Sequence, residues 1–328
     1  MEAKCAEGIS MKLLAIIQLV VTTLFLFSCN FPTESYRHPG YPSLDHGPKV
    51  TPDGRYVIYH HTHFASILKD GRSTYIPDST GLWITGMDGL NPHLLLLNGG
   101  FSFDISRDGA WLVYLKDWKD IQKVRLTGDY LDPGSDVRLF VGGGSHPRWN
   151  HTGSWIAFTY RPNAEVENSI ICKIASDGSQ FTIIGKYWQN VYARQSYPDW
   201  SPTEKYVLFT HGPGQAASSD ILLVDTTGYP FRPIIQDKNA NMNASYSPDG
   251  SKIIFQTSWT ESLIKISRDD GSDVRVVTAG SDPSWTPDGR SIVFLRRFTN
   301  EINFRNNSTV WLINTDGTGL RQVTFGPP

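Results

Sequence analysis

The sequence predicts an all-β chain folded as a six-bladed β-propeller with four antiparallel strands per blade. Composition and two recurring signatures point there. Of 328 residues, 39% are apolar and 12% aromatic, with 29 Gly and 20 Pro, a balance that suits short strands and tight turns better than long helices. The first signature recurs six times: Thr51-Pro-Asp-Gly-Arg-Tyr-Val-Ile-Tyr59, Ser106-Arg-Asp-Gly-Ala-Trp-Leu-Val-Tyr114, Asn150-His-Thr-Gly-Ser-Trp-Ile-Ala-Phe158, Ser201-Pro-Thr-Glu-Lys-Tyr-Val-Leu-Phe209, Ser247-Pro-Asp-Gly-Ser-Lys-Ile-Ile-Phe255 and Thr286-Pro-Asp-Gly-Arg-Ser-Ile-Val-Phe294. Its glycine position falls at 54, 109, 153, 204, 250 and 289, and only Glu204 breaks the glycine rule. The second signature is an apolar run closed by a turn. It begins at Leu82, Ile121, Ile170, Ile221, Leu263 and Val310 and ends at Asp88-Gly89, Gly128-Asp129, Asp177-Gly178, Thr227-Gly228, Asp270-Gly271 and Asp316-Gly317. Self-similarity at this period is the mark of a propeller or solenoid.

Each element of the unit has a local cause. Pro presets φ for the second position of a turn, Asp favours it, and Gly supplies an unhindered exit, so Ser/Thr-Pro-Asp-Gly is a tight turn between the first and second strands. The Ile/Val-x-Phe/Tyr run that follows is a short buried strand. The second signature supplies a third strand and a hairpin turn. The fourth strand is plainest in Leu320-Arg-Gln-Val-Thr-Phe325. Four antiparallel strands repeated in this way make a blade.

The amino terminus reads differently. Met11-Lys12 precedes an apolar run from Leu13 to Phe27, then Ser28-Cys29-Asn30. A short basic region, an apolar stretch of about 15 residues and a small residue at the cut form a secretory signal, short for a spanning helix. Glu2 and Glu7 do not suit a basic leader, so Met11 is the expected start. Leu26-Phe27-Ser28-Cys29 resembles the lipobox of bacterial lipoproteins, with Phe27 departing from the usual small or aliphatic residue. The resemblance implies lipidation of Cys29, with two or more acyl chains for stable anchoring. The expected organisation is a lipoprotein signal over 1–28, a Pro-rich lipid-anchored tether over 29–45 and the propeller over 46–328.

The repeat Pro-x-Trp-Ser-Pro-Asp-Gly-x-x-Ile-x-Phe, followed by an Asp-Gly turn, resembles that of TolB-type propellers. The likeness spans about residues 46–326. TolB itself carries a separate amino-terminal α/β domain, for which the tether leaves no room. The resemblance implies a propeller whose channel takes a metal ion or a partner segment, and an exported protein of the cell envelope or periplasm.

Several functions are excluded or disfavoured by what the sequence contains. Thirty Lys and Arg against 32 Asp and Glu give a formal net charge of −2, without the broad positive field that nucleic acid requires. Of three cysteines, Cys5 and Cys29 lie in or beside the export signal and Cys172 sits in the apolar run Ile170 to Ile174, where a thiol is an inert core residue. No Gly-x-Ser-x-Gly elbow, phosphate loop, His-Glu-x-x-His or Cys-x-x-Cys is present, so the common catalytic devices are missing. The Asp-Gly turns lack the Asp-x-Asp-x-Asp-Gly spacing of calcium loops.

Candidate binding residues follow from strand direction. Uniform turns gather on one face; irregular loops gather on the other, the usual place for binding. One such loop runs Lys186-Tyr-Trp-Gln-Asn-Val-Tyr-Ala-Arg194 and nominates Trp188, Tyr192 and Arg194. Three positions before the first-strand Trp, or its equivalent, lie Gly47, Ser102, His146, Tyr197, Asn243 and Asp282, a polar ring at the channel mouth. One position before it lie Lys49, Asp104, Arg148, Asp199, Ser245 and Ser284, whose first four alternate in sign and suit ion pairs between blades.

The leading reading is a non-catalytic, monomeric envelope lipoprotein that binds a protein segment or glycan through His146, Tyr197, Asn243, Asp282 and the top loops, His211 included, with no obligatory cofactor. The alternative is a metal-dependent periplasmic polysaccharide lyase or hydrolase resembling oligogalacturonate lyase. In it His61, His146 and His211, with Arg194, would hold a divalent ion such as Ca or Mn.

Overall fold

A computed structural model describes residues 43–67, 73–75, 79–162, 168–185, 193–213, 218–228, 230–257, 262–299 and 306–325. These lie within one compact unit, Pro39–Pro328. Among them every regular element of any length is a strand, and no helix is long and apolar enough to cross a membrane.

The four-stranded unit is realised as predicted. Four separate antiparallel sheets each follow chain order: Phe103–Ile105, Trp111–Lys116, Asp120–Thr127 and Tyr130–Phe140; Gly144–Trp149, Trp155–Tyr160, Ile170–Ala175 and Thr182–Ile183; Ala193–Trp200, Tyr206–Pro213, Asp220–Asp225 and Phe231–Ile235; and Asn241–Tyr246, Lys252–Thr257, Leu263–Arg268 and Arg275–Ala279. The remaining strands form a nine-stranded mixed sheet. It runs from Ser281–Trp285 through Ser291–Thr299 and Asn306–Asn314 to Ser43–Val50, Tyr56–Ile67, Gly81–Gly86 and His93–Leu97. Its only parallel step joins the carboxyl-terminal strands to the amino-terminal ones, at Leu44↔Ser308. The strand Ser43–Val50 thus begins three residues inside the segment expected to be tether, because Leu44 and Asp45 pair with Thr62 and His61.

The repeated turn is held by its first residue as well as by Pro, Asp and Gly. The hydroxyls of Thr51, Ser106, Ser247 and Thr286 each donate to the Asp two residues on, at 2.5–2.6 Å. The same oxygens accept the backbone N–H five residues on, at 2.9–3.1 Å. Each turn is therefore closed as a ring of side-chain bonds that supplies partners for otherwise orphaned amides.

The second strands read as unbroken apolar runs because both faces of each sheet are covered. Ile58 packs with Phe103, Leu112 and Tyr114 of the next sheet, whereas Val57 and Tyr59 face Val293, Leu295 and Val310. Val113 joins Trp149, Ile156, Phe158 and Cys172, while Leu208 joins Ala244, Ile253 and Phe255. Cys172 is fully buried and free, and burial pushes its thiol up to about 12, as a core cysteine should behave.

Candidate functional site

The first strands of the sheets do not pair uniformly. Register slips between His46 and Lys49, Ser145 and Arg148, Ser196 and Asp199, Met242 and Ser245, and Ser281 and Ser284. At each slip one residue lies in the left-handed region: Gly47, His146, Tyr197, Asn243 and Asp282, with φ of 50–54°. These are five of the six positions predicted for the channel mouth. A β-bulge inserts a residue and re-aims its side chain, so the strain of roughly 1 kcal/mol or more at each non-glycine serves to point a ring of side chains inward.

All six predicted residues, Ser102 included, line one cavity of about 380 Å³, together with His46, Arg148 and Arg297. His146 and Tyr197 lie ring against ring, 4.1 Å between centroids at 45°. Burial drives His146 down to about 3, so its imidazole is neutral at physiological pH, and its Nδ1 has no hydrogen-bond partner among the described residues. Burial first, and then the nearby Asp282 carboxylate, raise the Tyr197 phenol, leaving it a neutral donor. Asn243 Nδ2 approaches Asp282 Oδ1 at 3.5 Å. The bulge amides are anchored by the sheet before: Asn243 N–H donates to Thr210 Oγ1 at 3.3 Å, and Asp282 N–H to Gln256 Oε1 at 2.6 Å.

Below the mouth, the alternating charges pair only in part. Lys49 Nζ lies 3.2 Å from Asp104 Oδ1, the expected inter-sheet ion pair, and Asp104 also accepts the Trp149 N–H at 2.9 Å. Arg148 and Asp199 do not complete a second pair. The Arg148 guanidinium donates to the Phe103 and Pro147 carbonyls at 3.3 Å, while Asp199 accepts the Tyr246 N–H at 2.9 Å. Burial pushes Asp199 up to about 6, against the pull of Arg148, that N–H and Lys49.

The other nominated residues are dispersed. His61 is buried and shares a 2.7 Å hydrogen bond with Asp45. His211 lies opposite Gln195 in the strand Tyr206–Pro213, and burial lowers its imidazole. Arg194 sits at the joint with Ser169, and neither it nor His211 lines the mouth cavity. Alternation along a strand explains His61: His60 and Thr62 face one way and His61 the other. No three His, Cys, Asp or Glu side chains among the described residues are placed to hold a metal ion, so the trio His61, His146 and His211 is not assembled. Cys29, Trp188 and Tyr192 lie outside the described residues.

Sheets of this unit around a central cavity define a β-propeller. No protein-family model matches the sequence, and no curated protein matches it. Among solved structures, TolB from Acinetobacter baumannii is 17% identical with a TM-score of 0.59, covering 88% of this chain and 84% of that one. Oligogalacturonate lyase from Vibrio parahaemolyticus is 16% identical with a TM-score of 0.54, covering 90% and 80%. An oligogalacturonate lyase in complex with manganese gives 14% and 0.55, covering 89% and 83%. The fold is TolB-like, and a fold of this kind hosts several chemistries.

Proposed function

We propose that this chain is an exported, lipid-anchored, six-bladed propeller that binds a protein segment or glycan at its channel mouth, without catalysis. The observation that carries the reading is the ring of left-handed bulges at Gly47, His146, Tyr197, Asn243 and Asp282, which holds neutral and hydrogen-bonding groups around a cavity of about 380 Å³. Five left-handed bulges converging on one opening, four of them strained non-glycine positions, favour a binding role over incidental geometry. Six blades are supported by the six copies of both signatures. They are supported too by contacts between successive first strands that run from Ser43–Val50 round to Ser281–Trp285 and back. The lipobox at Cys29 supports anchoring in the envelope, and the fold likeness to TolB accords with that location.

Tyr197→Ala, Asn243→Ala and Trp188→Ala proteins, crosslinked in cells beside the unaltered chain, test the reading. Captured envelope material should fall about tenfold with thermal unfolding unchanged. Undiminished capture by Tyr197→Ala and Asn243→Ala would remove the mouth from the site.

A second reading, a metal-dependent polysaccharide lyase or hydrolase, draws on the likeness to oligogalacturonate lyase. The described residues do not supply a metal-binding cluster. Stoichiometric manganese or calcium in the purified protein, lost in His146→Ala, would favour it.

A further inference from the structure

The ring of bulges has one gap. Ser102 alone of the six mouth positions lacks the left-handed conformation, and the strand after it, Phe103–Ile105, is only three residues long. The chain before it stays tied to the second strand, with Gly100 N–H donating to the Leu115 carbonyl and Leu115 N–H donating to the Ser102 carbonyl. A second cavity, of about 420 Å³, opens between the first and second sheets at this place.

Its walls combine an aromatic ledge with a polar rim. Trp118 is 72% exposed and lies 4.8 Å from Phe101 at 40° between ring planes. Phe101 in turn contacts His46 and His60, at 5.0 and 5.4 Å. Trp118 follows Asp117 in a two-residue hairpin turn, closed by Lys119 N–H to the Lys116 carbonyl, with φ of 49° and 61°. Such turns favour Asn-Gly, so a bulky indole there is held against its backbone preference and displayed to solvent. Thr62, Thr80, Asn98 and Asp117 add hydroxyl, amide and carboxylate groups.

His60 occupies the position that is Thr210 and Gln256 in later sheets, where those side chains hold the bulge amide of the next sheet. Here His60 is 95% buried by its 5% exposure, lines the cavity, and its Nδ1 has no hydrogen-bond partner among the described residues.

We propose that this cavity is a saccharide subsite that takes one uncharged hexose or N-acetylhexosamine ring, stacked on Trp118 and hydrogen-bonded at its hydroxyls by the polar rim. An exposed flat indole suits the C–H face of a pyranose, as amphipathic aromatics suit ligands with one apolar and one wet side. No Lys or Arg lines the cavity and Asp117 does, so a uronate or phosphate would meet no cation and a repelling carboxylate. The size lies in the range of small-ligand sites. His46 and Phe101 line both this cavity and the mouth, so an oligosaccharide seated on Trp118 extends toward the bulge ring. That direction, and only that, rests on the binding role proposed for the mouth.

Calorimetric titration of the full exported protein with cellotetraose, maltotetraose, chitotetraose and tetragalacturonate, alongside a proline-rich peptide, tests the proposal. At least one uncharged tetrasaccharide should bind and tetragalacturonate should not. Trp118→Asn removes the ring while suiting the left-handed turn, and should weaken binding about tenfold with thermal stability kept or raised. Binding of no uncharged saccharide, preference for tetragalacturonate or the peptide, or full affinity in Trp118→Asn would each overturn it. Tyr197→Ala separates the two sites. Loss there with Trp118→Asn intact condemns this subsite and spares the mouth, whereas the reverse condemns the mouth and spares the subsite.

Discussion

Asp199 shows how much a single enclosed charge can govern. Its carboxyl is raised to about 6 by burial, against an ordinary value near 3.9. The folded state therefore holds the proton more tightly than the unfolded chain. The sign follows: Asp199 favours folding most below about pH 4, and that contribution is lost as pH rises through about 6. The imidazoles of His60 and His146, lowered to about 3 by burial, tilt the whole protein the other way, so Asp199 is read by difference: from pH 4 to pH 7 the denaturation midpoint of Asp199→Asn, whose amide oxygen still accepts the Tyr246 N–H, should gain on that of the unaltered chain, by up to about 3 kcal/mol at pH 7. A slope unchanged in Asp199→Asn would move the cause elsewhere. The residue-level chemistry was only partly legible in the sequence. Offset counting placed His146, Tyr197, Asn243 and Asp282 in one ring, because a repeat carries its geometry from copy to copy. It could not say that Arg148 would spend its guanidinium on carbonyls, nor that His61 would turn from the channel toward Asp45. Those outcomes depend on which neighbour a side chain meets, and a period does not encode that.

At the scale of elements, the turn that breaks the glycine rule has a reason. Glu204 sits at φ 58°, and its carboxylate reaches the preceding sheet's turn. It accepts from Asn150 Nδ2 at 2.9 Å and from the Thr152 amide at 2.5 Å. The Asn150-His-Thr-Gly copy and the Ser201-Pro-Thr-Glu copy depart from the pattern together because each completes the other. Glu204→Gly should relieve about 1 kcal/mol of backbone strain but remove charge-assisted bonds worth about 1.5–3 kcal/mol, for a net loss near 1 kcal/mol in urea unfolding. Adding Thr152→Asp, which restores the common turn, should recover most of it; a stabilised Glu204→Gly would show the carboxylate to be dispensable. A second device was overlooked in the sequence although its letters are regular. Ser169, Ser219 and Ser308 stand one or two residues before the third-strand signature. Each donates to a carbonyl in the first strand of the next four-stranded unit, that of Gln195, Asn241 or Asp45, at 2.6–2.8 Å. Serine is common in loops, so nothing but the contact itself marks these three.

For the whole molecule, the joint at Leu44↔Ser308 repeats the joints Ser169↔Arg194 and Ser219↔Ala240. It carries an extra set of bonds. Thr324 Oγ1 donates to Asp45 Oδ2 at 2.5 Å and accepts the Val310 N–H at 2.8 Å, while Asp45 also holds His61. Thr324→Val keeps the shape and strands both partners, and should cost about 1–3 kcal/mol, more than Ser219→Ala at an internal joint. Equal losses in chemical denaturation would show that the joint between chain ends needs no reinforcement. The architecture was legible because a repeat announces itself. The expected fold class, the strand order and the buried second strands follow from the six copies, but the bridging of first and last sheets into one nine-stranded sheet rests on a single register that no motif marks.

The ring of bulges also bears on how such a protein can diverge. The side chains of His146, Tyr197, Asn243 and Asp282 hang from left-handed bulges, so their identity is uncoupled from the cores between the sheets. Gly47 is the bare seat in that ring: a Cβ added there would meet nothing within 4 Å, and its φ of 53° matches that of Asn243. A lineage can therefore rewrite what the mouth recognises one position at a time, at about 1 kcal/mol of backbone strain where a side chain replaces Gly47, with that one place still unwritten.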